Sequence, residues 1–201
     1  MIPYPGNKLF MKNSIAEEYL SSGKIGVIPT DTIYGVAASA LSKKAVARAY
    51  KILKRDTIKP FIVLIGSLAD LKLFNVKLDK KTGIIIKKIW PGKISAILPI
   101  SSAKFHYLHR GTKSLAFRLP KKKSLLTILQ KTGPLISTSA NPQGKKPAKT
   151  ISEAKKYFGD SIDFYVNIGK IESQPSTLIE IKNGKIGVIR KGAVRISKYL
   201  D

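Results

Sequence analysis

Few side chains in this sequence are equipped for covalent chemistry. There is no cysteine, which removes disulfides, thiolate nucleophiles and cysteine-held zinc from consideration. The two histidines, His106 and His109, have no acidic residue near them in sequence. They read as solvated side chains rather than as a metal site or part of a Ser-His-Asp triad. A Walker A loop and a Gly-x-Gly-x-x-Gly fingerprint are both missing. What the sequence does offer is hydroxyls and fixed cations. Thr30-Asp31-Thr32-Ile33-Tyr34-Gly35 sets hydroxyls, one carboxylate and a glycine behind an apolar run. That suits a binding loop at the C-terminal end of a strand, or an ordinary loop closed by an Asx-type turn. Ser137-Thr138-Ser139-Ala140-Asn141 places four small polar side chains within five residues. Such a run can surround a polar ligand or satisfy only its own backbone. Arg55, with Lys54 beside it and Lys59 four residues on, could grip a phosphate or carboxylate through its planar fork. It could equally complement a helix C-terminus.

The elements that must position these groups are marked along the chain. Ser42 is a good N-cap for a helix in which Ala45, Val46, Ala49, Ile52 and Leu53 form one apolar stripe, with Lys44, Arg48, Lys51 and Arg55 on the other side. Ser14-Ile15-Ala16-Glu17 and Thr150-Ile151-Ser152-Glu153 have the spacing of capping boxes, the first helix ending at Gly23 and the other at Phe158. Ser67 opens a further helix, and Asp79 caps one running to Trp90, where Pro91-Gly92 stops it. Further helices are expected from about Lys122 to Lys131 and from Ala193 to Leu200. Strands are expected over Lys24–Pro29, Pro60–Ile65, Ile94–Ile100, Leu115–Leu119, Leu135–Thr138 and Asp163–Asn167. Asn183-Gly184 between Thr177–Ile181 and Lys185–Ile189 is the strongest hairpin signal in the chain. Antiparallel pairing there would bring Ser176 and Arg190 to the same end of the sheet. Interleaved strands and helices with a hairpin among them argue for an α/β fold around a mixed sheet.

The chain has 201 residues and no long Pro/Gly/Ser linker, so a single domain over 1–201 is expected. Its apolar runs, such as Phe61–Ile65, are too short to span a bilayer. The N-terminus MIPYPGNKLF has no basic end followed by an apolar stretch, so no signal peptide, no membrane association and a cytoplasmic location are expected. The formal net charge is +25, and from Lys80 to Ser152 there is neither Asp nor Glu. Such a field concentrates polyanions, but a solvated lysine coat reads equally well from the same residues.

Taken in order, these segments resemble the YrdC/Sua5 family over most of the chain. Pro29–Gly35 matches the family's Pro-Thr-(Asp/Glu)-Thr-x-Tyr-Gly loop. Arg55, Lys59 and Pro60-Phe61 stand where it has Lys-x-Arg and a Pro-Leu strand. Trp90-Pro91-Gly92 is similar to its Trp-Pro-Gly turn, Ala116–Pro120 to its Val-Arg-x-Pro segment, and Ser137–Asn141 to its Ser-Thr-Ser-Ala-Asn run. Pro175-Ser176-Thr177 and Arg190-Lys191-Gly192 match the motifs that open and close its terminal hairpin. The sequence departs from the pattern at Leu53, where the lysine of Lys-x-Arg would fall, so that cation is absent or supplied by Lys54. Asp56 and Lys191 stand in place of prolines.

The resemblance implies a twisted mixed β-sheet with flanking helices and a basic concave cleft, as in the short, single-domain members. It implies an L-threonylcarbamoyladenylate synthase activity, a nucleotidyl transfer in which L-threonine, bicarbonate or CO2, and ATP give threonylcarbamoyl-AMP and pyrophosphate. The product serves N6-threonylcarbamoyladenosine modification of tRNA through downstream transferase proteins. By family match, Thr30, Arg118, Ser137 and Ser176 would hold threonine. Arg55, Lys59, Ser114, Ser139 and Arg190 would meet ATP, with Lys54 and Asn141 as further candidates. No general base is assigned. Mg2+ would come with ATP, held mainly by the triphosphate. The alternative reading is a non-catalytic RNA-binding protein of the same fold, acting on tRNA or rRNA. A third, a carbamoyl-transfer domain like that of hydrogenase maturation proteins, lacks its zinc-finger cysteines here.

Overall fold

The computed structural model describes residues 13–199 except 101. The N-terminal segment read for a signal peptide, and Leu200 of the last expected helix, lie outside the described residues. Helix α1 covers Asn13–Ser21, with Ser14 within that range, and Gly23 at φ +79° follows its end. Strand β1 (Gly26–Pro29) is joined by four residues to β2 (Tyr34–Ser39). The second strand carries no strand signal in sequence: Gly and Ala dominate it, and nearly all of it is buried. Its extended state comes from pairing on both edges.

Helix α2 (Lys43–Leu53) starts where expected, the Ser42 side chain accepting from the Ala45 N–H at 3.2 Å. Strand β3 is short, Ile62–Leu64. The helix expected after Ser67 is a 3-10 segment, Leu68–Phe74, its start fixed by Asp70, which accepts from the Ser67 N–H and hydroxyl. Helix α3 (Lys80–Ile89) is capped by Asp79 and ends at Trp90. Then come β4 (Ile94–Pro99), the short α4 (His106–His109), β5 (Ser114–Arg118), α5 (Lys123–Thr132) and β6 (Leu135–Ser139). Helix α6 (Ile151–Phe158) is capped by Thr150 at the Glu153 N–H. The Glu153 carboxylate reaches back one residue further than a capping box requires, to the Lys149 N–H at 2.8 Å. Strand β7 is only Phe164–Tyr165. The hairpin of β8 (Thr177–Lys182) and β9 (Lys185–Arg190) turns through Asn183 and Gly184, both at positive φ. That is the backbone twist a two-residue hairpin loop needs. The expected last helix is a 3-10 turn, Ile196–Tyr199.

The strands form one mixed sheet in the order β7-β1-β2-β6-β3-β5-β4-β8-β9. Its parallel neighbours are β1/β7, β3/β5 and β4/β8; the rest run antiparallel. The two faces are treated differently. On one, Val27, Val36, Val63, Phe117 and Ile136 pack under the apolar stripes of α2, α3 and α6. On the other, Ile28, Ala37, Leu64 and Leu135 are covered by Ala16, Leu20, Leu125 and Leu129 of α1 and α5. That cover stops partway across. Because side chains alternate along a strand, β5 buries Leu115 and Phe117 in the first layer. It presents Ser114, Ala116 and Arg118 to the uncovered part of the other face, and β6 presents Ser137 and Ser139 beside them. The result is a concave cleft floored by one face of the sheet. Among the described residues no helix is long and apolar enough to cross a membrane.

Candidate active site

The cleft has a volume of about 540 Å³, within the ~300–1,000 Å³ typical of small-molecule sites. Three guanidinium groups converge on it from separate parts of the chain: Arg55 after α2, Arg118 at the end of β5 and Arg190 at the end of β9.

The loop between β1 and β2 closes as a turn, though not the Asx type. The Thr30 hydroxyl donates to the Ile33 carbonyl at 2.6 Å and accepts from the Thr32 and Ile33 N–H groups at 3.1 and 3.2 Å. Thr30 still lines the cleft, but much of its hydroxyl's bonding capacity goes to holding the loop. That closure frees Asp31, which the turn would otherwise have used. Its carboxylate lies 3.2 Å from Arg118 Nη2 as a buried ion pair, the two side chains 6% and 5% exposed. The pair lacks hydrogen-bond alignment, so both Asp31 oxygens and Arg118 Nε have no hydrogen-bond partner. Arg118 Nη1 donates to the Thr32 hydroxyl at 3.2 Å. Burial pulls the Arg118 pKa below its ordinary value; the Asp31 charge opposes this and Arg190 adds to it. Lys122, whose pKa burial also lowers, stands against the same loop, its Nζ 3.4 Å from the Thr30 carbonyl.

Arg55 is not a partner of the helix dipole. Its Nε and Nη2 donate to the carbonyls of Lys59 and Pro60 at 3.0 and 3.1 Å, and its fork lies over the Phe61 ring. These contacts aim the guanidinium into the cleft, where burial lowers its pKa. Arg190 and Ser176 meet as antiparallel pairing requires. Arg190 Nη2 donates to the Ser176 carbonyl at 2.8 Å, and the Ser176 hydroxyl is 2.9 Å from that of Ser95. Burial lowers the Arg190 pKa, and Arg55 adds to the lowering. Gly192 follows because no side chain fits: a Cβ there would stand 2.6 Å from the Ser176 carbonyl carbon.

Ser114, Ser137, Ser139 and Asn141 all line the cleft. Asn141 Nδ2 donates to the carbonyls of Pro142 and Lys145, each at 2.8 Å, while its Oδ1 is buried without a partner. This loop therefore satisfies its own backbone and leaves one acceptor over. Two expected contributors are not brought in. Lys54 is the exposed C-cap of α2, at φ 47°, and does not line the cleft. Lys59 gives its carbonyl to Arg55, and its Nζ lies 3.6 Å from Asp56, outside the cleft lining. Leu53 is buried at 2% exposure.

Asp31 and Lys145 are among the residues at the site that were not singled out from sequence. Asp31 stood within a noted motif, but its partner is 87 positions away, beyond any local signal. Lys145 lines the cleft, yet in sequence it is one lysine among several in a polar loop. The histidine expectation needs correction. His106 is exposed, but His109 is buried at 5%, its Nδ1 accepting from the Gly111 N–H at 3.2 Å, because α4 folds that side onto the core. Among the described residues no group of three His, Asp or Glu side chains is placed to hold a metal ion.

A family model described as Sua5_yciO_yrdC, telomere recombination, matches residues 18–192. A Methanocaldococcus jannaschii protein named provisionally as a threonylcarbamoyl-AMP synthase is 34% identical, the alignment covering 88% of this chain and 84% of that one. The threonylcarbamoyl-AMP synthase of Marinobacter nauticus is 27% identical over 88% of this chain and 94% of its own. Among solved structures, Pyrococcus abyssi Sua5 complexed with L-threonine superposes with a TM-score of 0.85 at 25% identity. It covers 92% of this chain, which spans 55% of that longer one.

Proposed function

The chain belongs to the Sua5/YciO/YrdC family, and from that premise we propose that it is an L-threonylcarbamoyladenylate synthase. The observation that carries this reading is the convergence of Arg55, Arg118 and Arg190 on one cleft with no carboxylate among the described residues that line it. Mutual repulsion of such cations is relieved by binding anions, and the reaction brings several together: the threonine carboxylate, the carbamate and the triphosphate. The relatives named threonylcarbamoyl-AMP synthase, and the Sua5 structure holding L-threonine, support the same substrates. A non-catalytic RNA binder can use the exposed lysines but gives no reason for three guanidinium groups to converge in a concavity of small-molecule size.

In this reading the neutral threonine amine adds to CO2, forming a C–N bond and releasing one proton to solvent, which gives a carbamate. A carbamate oxygen then attacks the α-phosphorus, a P–O bond forms there, and pyrophosphate departs. No protein nucleophile is needed, since the carbamate oxygen is itself the nucleophile and the triphosphate carries its own leaving group. The protein's part is to hold two anions in contact and to stabilise the charge on the phosphoryl oxygens, which preorganised cations and donors do well. Arg118, fixed from behind by Asp31 and Thr32, would take the threonine carboxylate, with Ser137 and Ser176 supplying polar contacts. Arg55 and Arg190 would face the phosphates, with Ser114 and Ser139 beside them. With no carboxylate among the described residues that line the cleft, Mg2+ fits as part of MgATP rather than as a metal held by the protein. The product would pass to a transferase acting on tRNA. The test is pyrophosphate release by the purified chain with MgATP: it should require both threonine and bicarbonate. Release independent of threonine, or none, would overturn the reading.

A further inference from the structure

The stretch leading into Arg55 delivers only one cation to the cleft, because Leu53 is buried in the core and Lys54 turns outward at the helix cap. A second cation reaches the same region by another route. The loop after β6 folds back against the end of α2 and is pinned there at two points. The Gln143 N–H donates to the Leu53 carbonyl at 3.0 Å, and the Gln143 Oε1 accepts from the Asp56 N–H at 2.8 Å. Gln143 and Asn141 wall a small recess next to Arg55. Two residues on, the chain turns: the Lys145 N–H donates to the Pro142 carbonyl at 3.1 Å, with Gly144 at φ +84°. Asn141 holds the Lys145 carbonyl at 2.8 Å. The backbone of Lys145 is thus fixed on both sides; the residue is exposed and lines the cleft, and no carboxylate among the described residues is paired to it. The neighbouring Lys146 is equally exposed but does not line the cleft.

We propose that Lys145 is a phosphate-binding residue of this chain, placing its ammonium on the triphosphate alongside Arg55 and Arg190. The pinned loop is what makes this more than surface charge. A lysine on a free loop attracts anions diffusely, whereas one whose backbone is tied to the arginine-bearing segment acts at a defined distance. The inference rests on the synthase reading for its ligand, but its test is a binding measurement independent of turnover.

Calorimetric titrations of ATP, inorganic pyrophosphate and threonine into wild type, Lys145→Ala, Lys145→Arg and Lys146→Ala would decide it. Lys145→Ala should weaken both ATP and pyrophosphate by about tenfold or more, as loss of a charge-assisted contact implies. Threonine binding should be unchanged, since its site lies toward Arg118. Lys145→Arg should keep most of the affinity, and Lys146→Ala should match wild type. The proposal fails if Lys145→Ala binds ATP as wild type does, or if Lys146→Ala loses as much, which would reduce the effect to general charge. A wild type that binds ATP but releases no threonine-dependent pyrophosphate would overturn the synthase reading and leave this assignment standing.

Discussion

The Asp31–Arg118 pair offers a direct test of how the site is held together. Both side chains are almost fully buried and 3.2 Å apart, and Asp31 does not line the cleft while Arg118 does. Asp31→Asn keeps the shape and removes the charge, leaving a buried guanidinium with only the Thr32 hydroxyl. Breaking a buried pair from one side costs about 3–5 kcal/mol. Arg118 borders an open cleft from which water can reach it, so the low end, about 3 kcal/mol, is expected. For a chain of this length that corresponds to a loss of roughly 6–12 °C in Tm. Urea denaturation followed by the fluorescence of the single tryptophan, Trp90, buried at 5%, measures it without screening the charges. Glu180→Gln is the control: its partner Lys182 is 77% exposed, so less than about 0.5 kcal/mol should be lost. Adding Arg118→Gln to Asp31→Asn should recover much of the loss, because a neutral pair leaves no uncompensated charge. An Asp31→Asn variant within about 0.5 kcal/mol of wild type, or a double variant whose losses simply add, would refute the claim that Asp31 holds Arg118 in place.

Lys54→Gly should stabilise the protein by about 0.5 kcal/mol, since glycine adopts the left-handed C-cap conformation without a Cβ penalty; denaturation reads the gain. ATP titration of the same variant should show unchanged affinity, whereas Arg55→Ala should bind ATP at least about tenfold more weakly. Lys121→Ser and Lys123→Ser together should leave pyrophosphate release intact, while Lys122→Ala, losing the cation against the Thr30–Ile33 loop, should lower it; equal effects from both would count against that loop contact. Threonine should bind at least about 100-fold better than valine by calorimetry, because a site that hydrogen-bonds a hydroxyl leaves its own groups unpaired around the isostere; equal binding would remove the threonine assignment.

Much of the architecture was legible because its signals are local. The Ser42, Asp79 and Thr150 caps, the Asn183-Gly184 turn and the short apolar run Leu115–Leu119 each act within a few residues, and the structure has an element at each. The meeting of Ser176 and Arg190 could be read too, since a hairpin turn fixes the register of both its strands. Strand β2 could not. Tyr34–Ser39 has little strand propensity of its own and is extended because β1 and β6 supply hydrogen bonds on both edges. Such long-range pairing leaves no periodic mark on a strand buried on both faces.

The types of side chain offered at the site were legible from sequence alone: hydroxyls and cations, which suit holding and polarising anions. Which cations do so was decided by tertiary structure. Arg55, Lys54 and Lys59 are near neighbours in the chain, yet one lines the cleft and two do not, because a left-handed cap residue turns the backbone as α2 ends. Lys145 lines the same cleft because Gln143 ties its loop to that helix end. Arg118 is held by a carboxylate 87 positions away that only the sheet brings within 3.2 Å. Charge acts over distance in space, and a sequence records distance only along the chain.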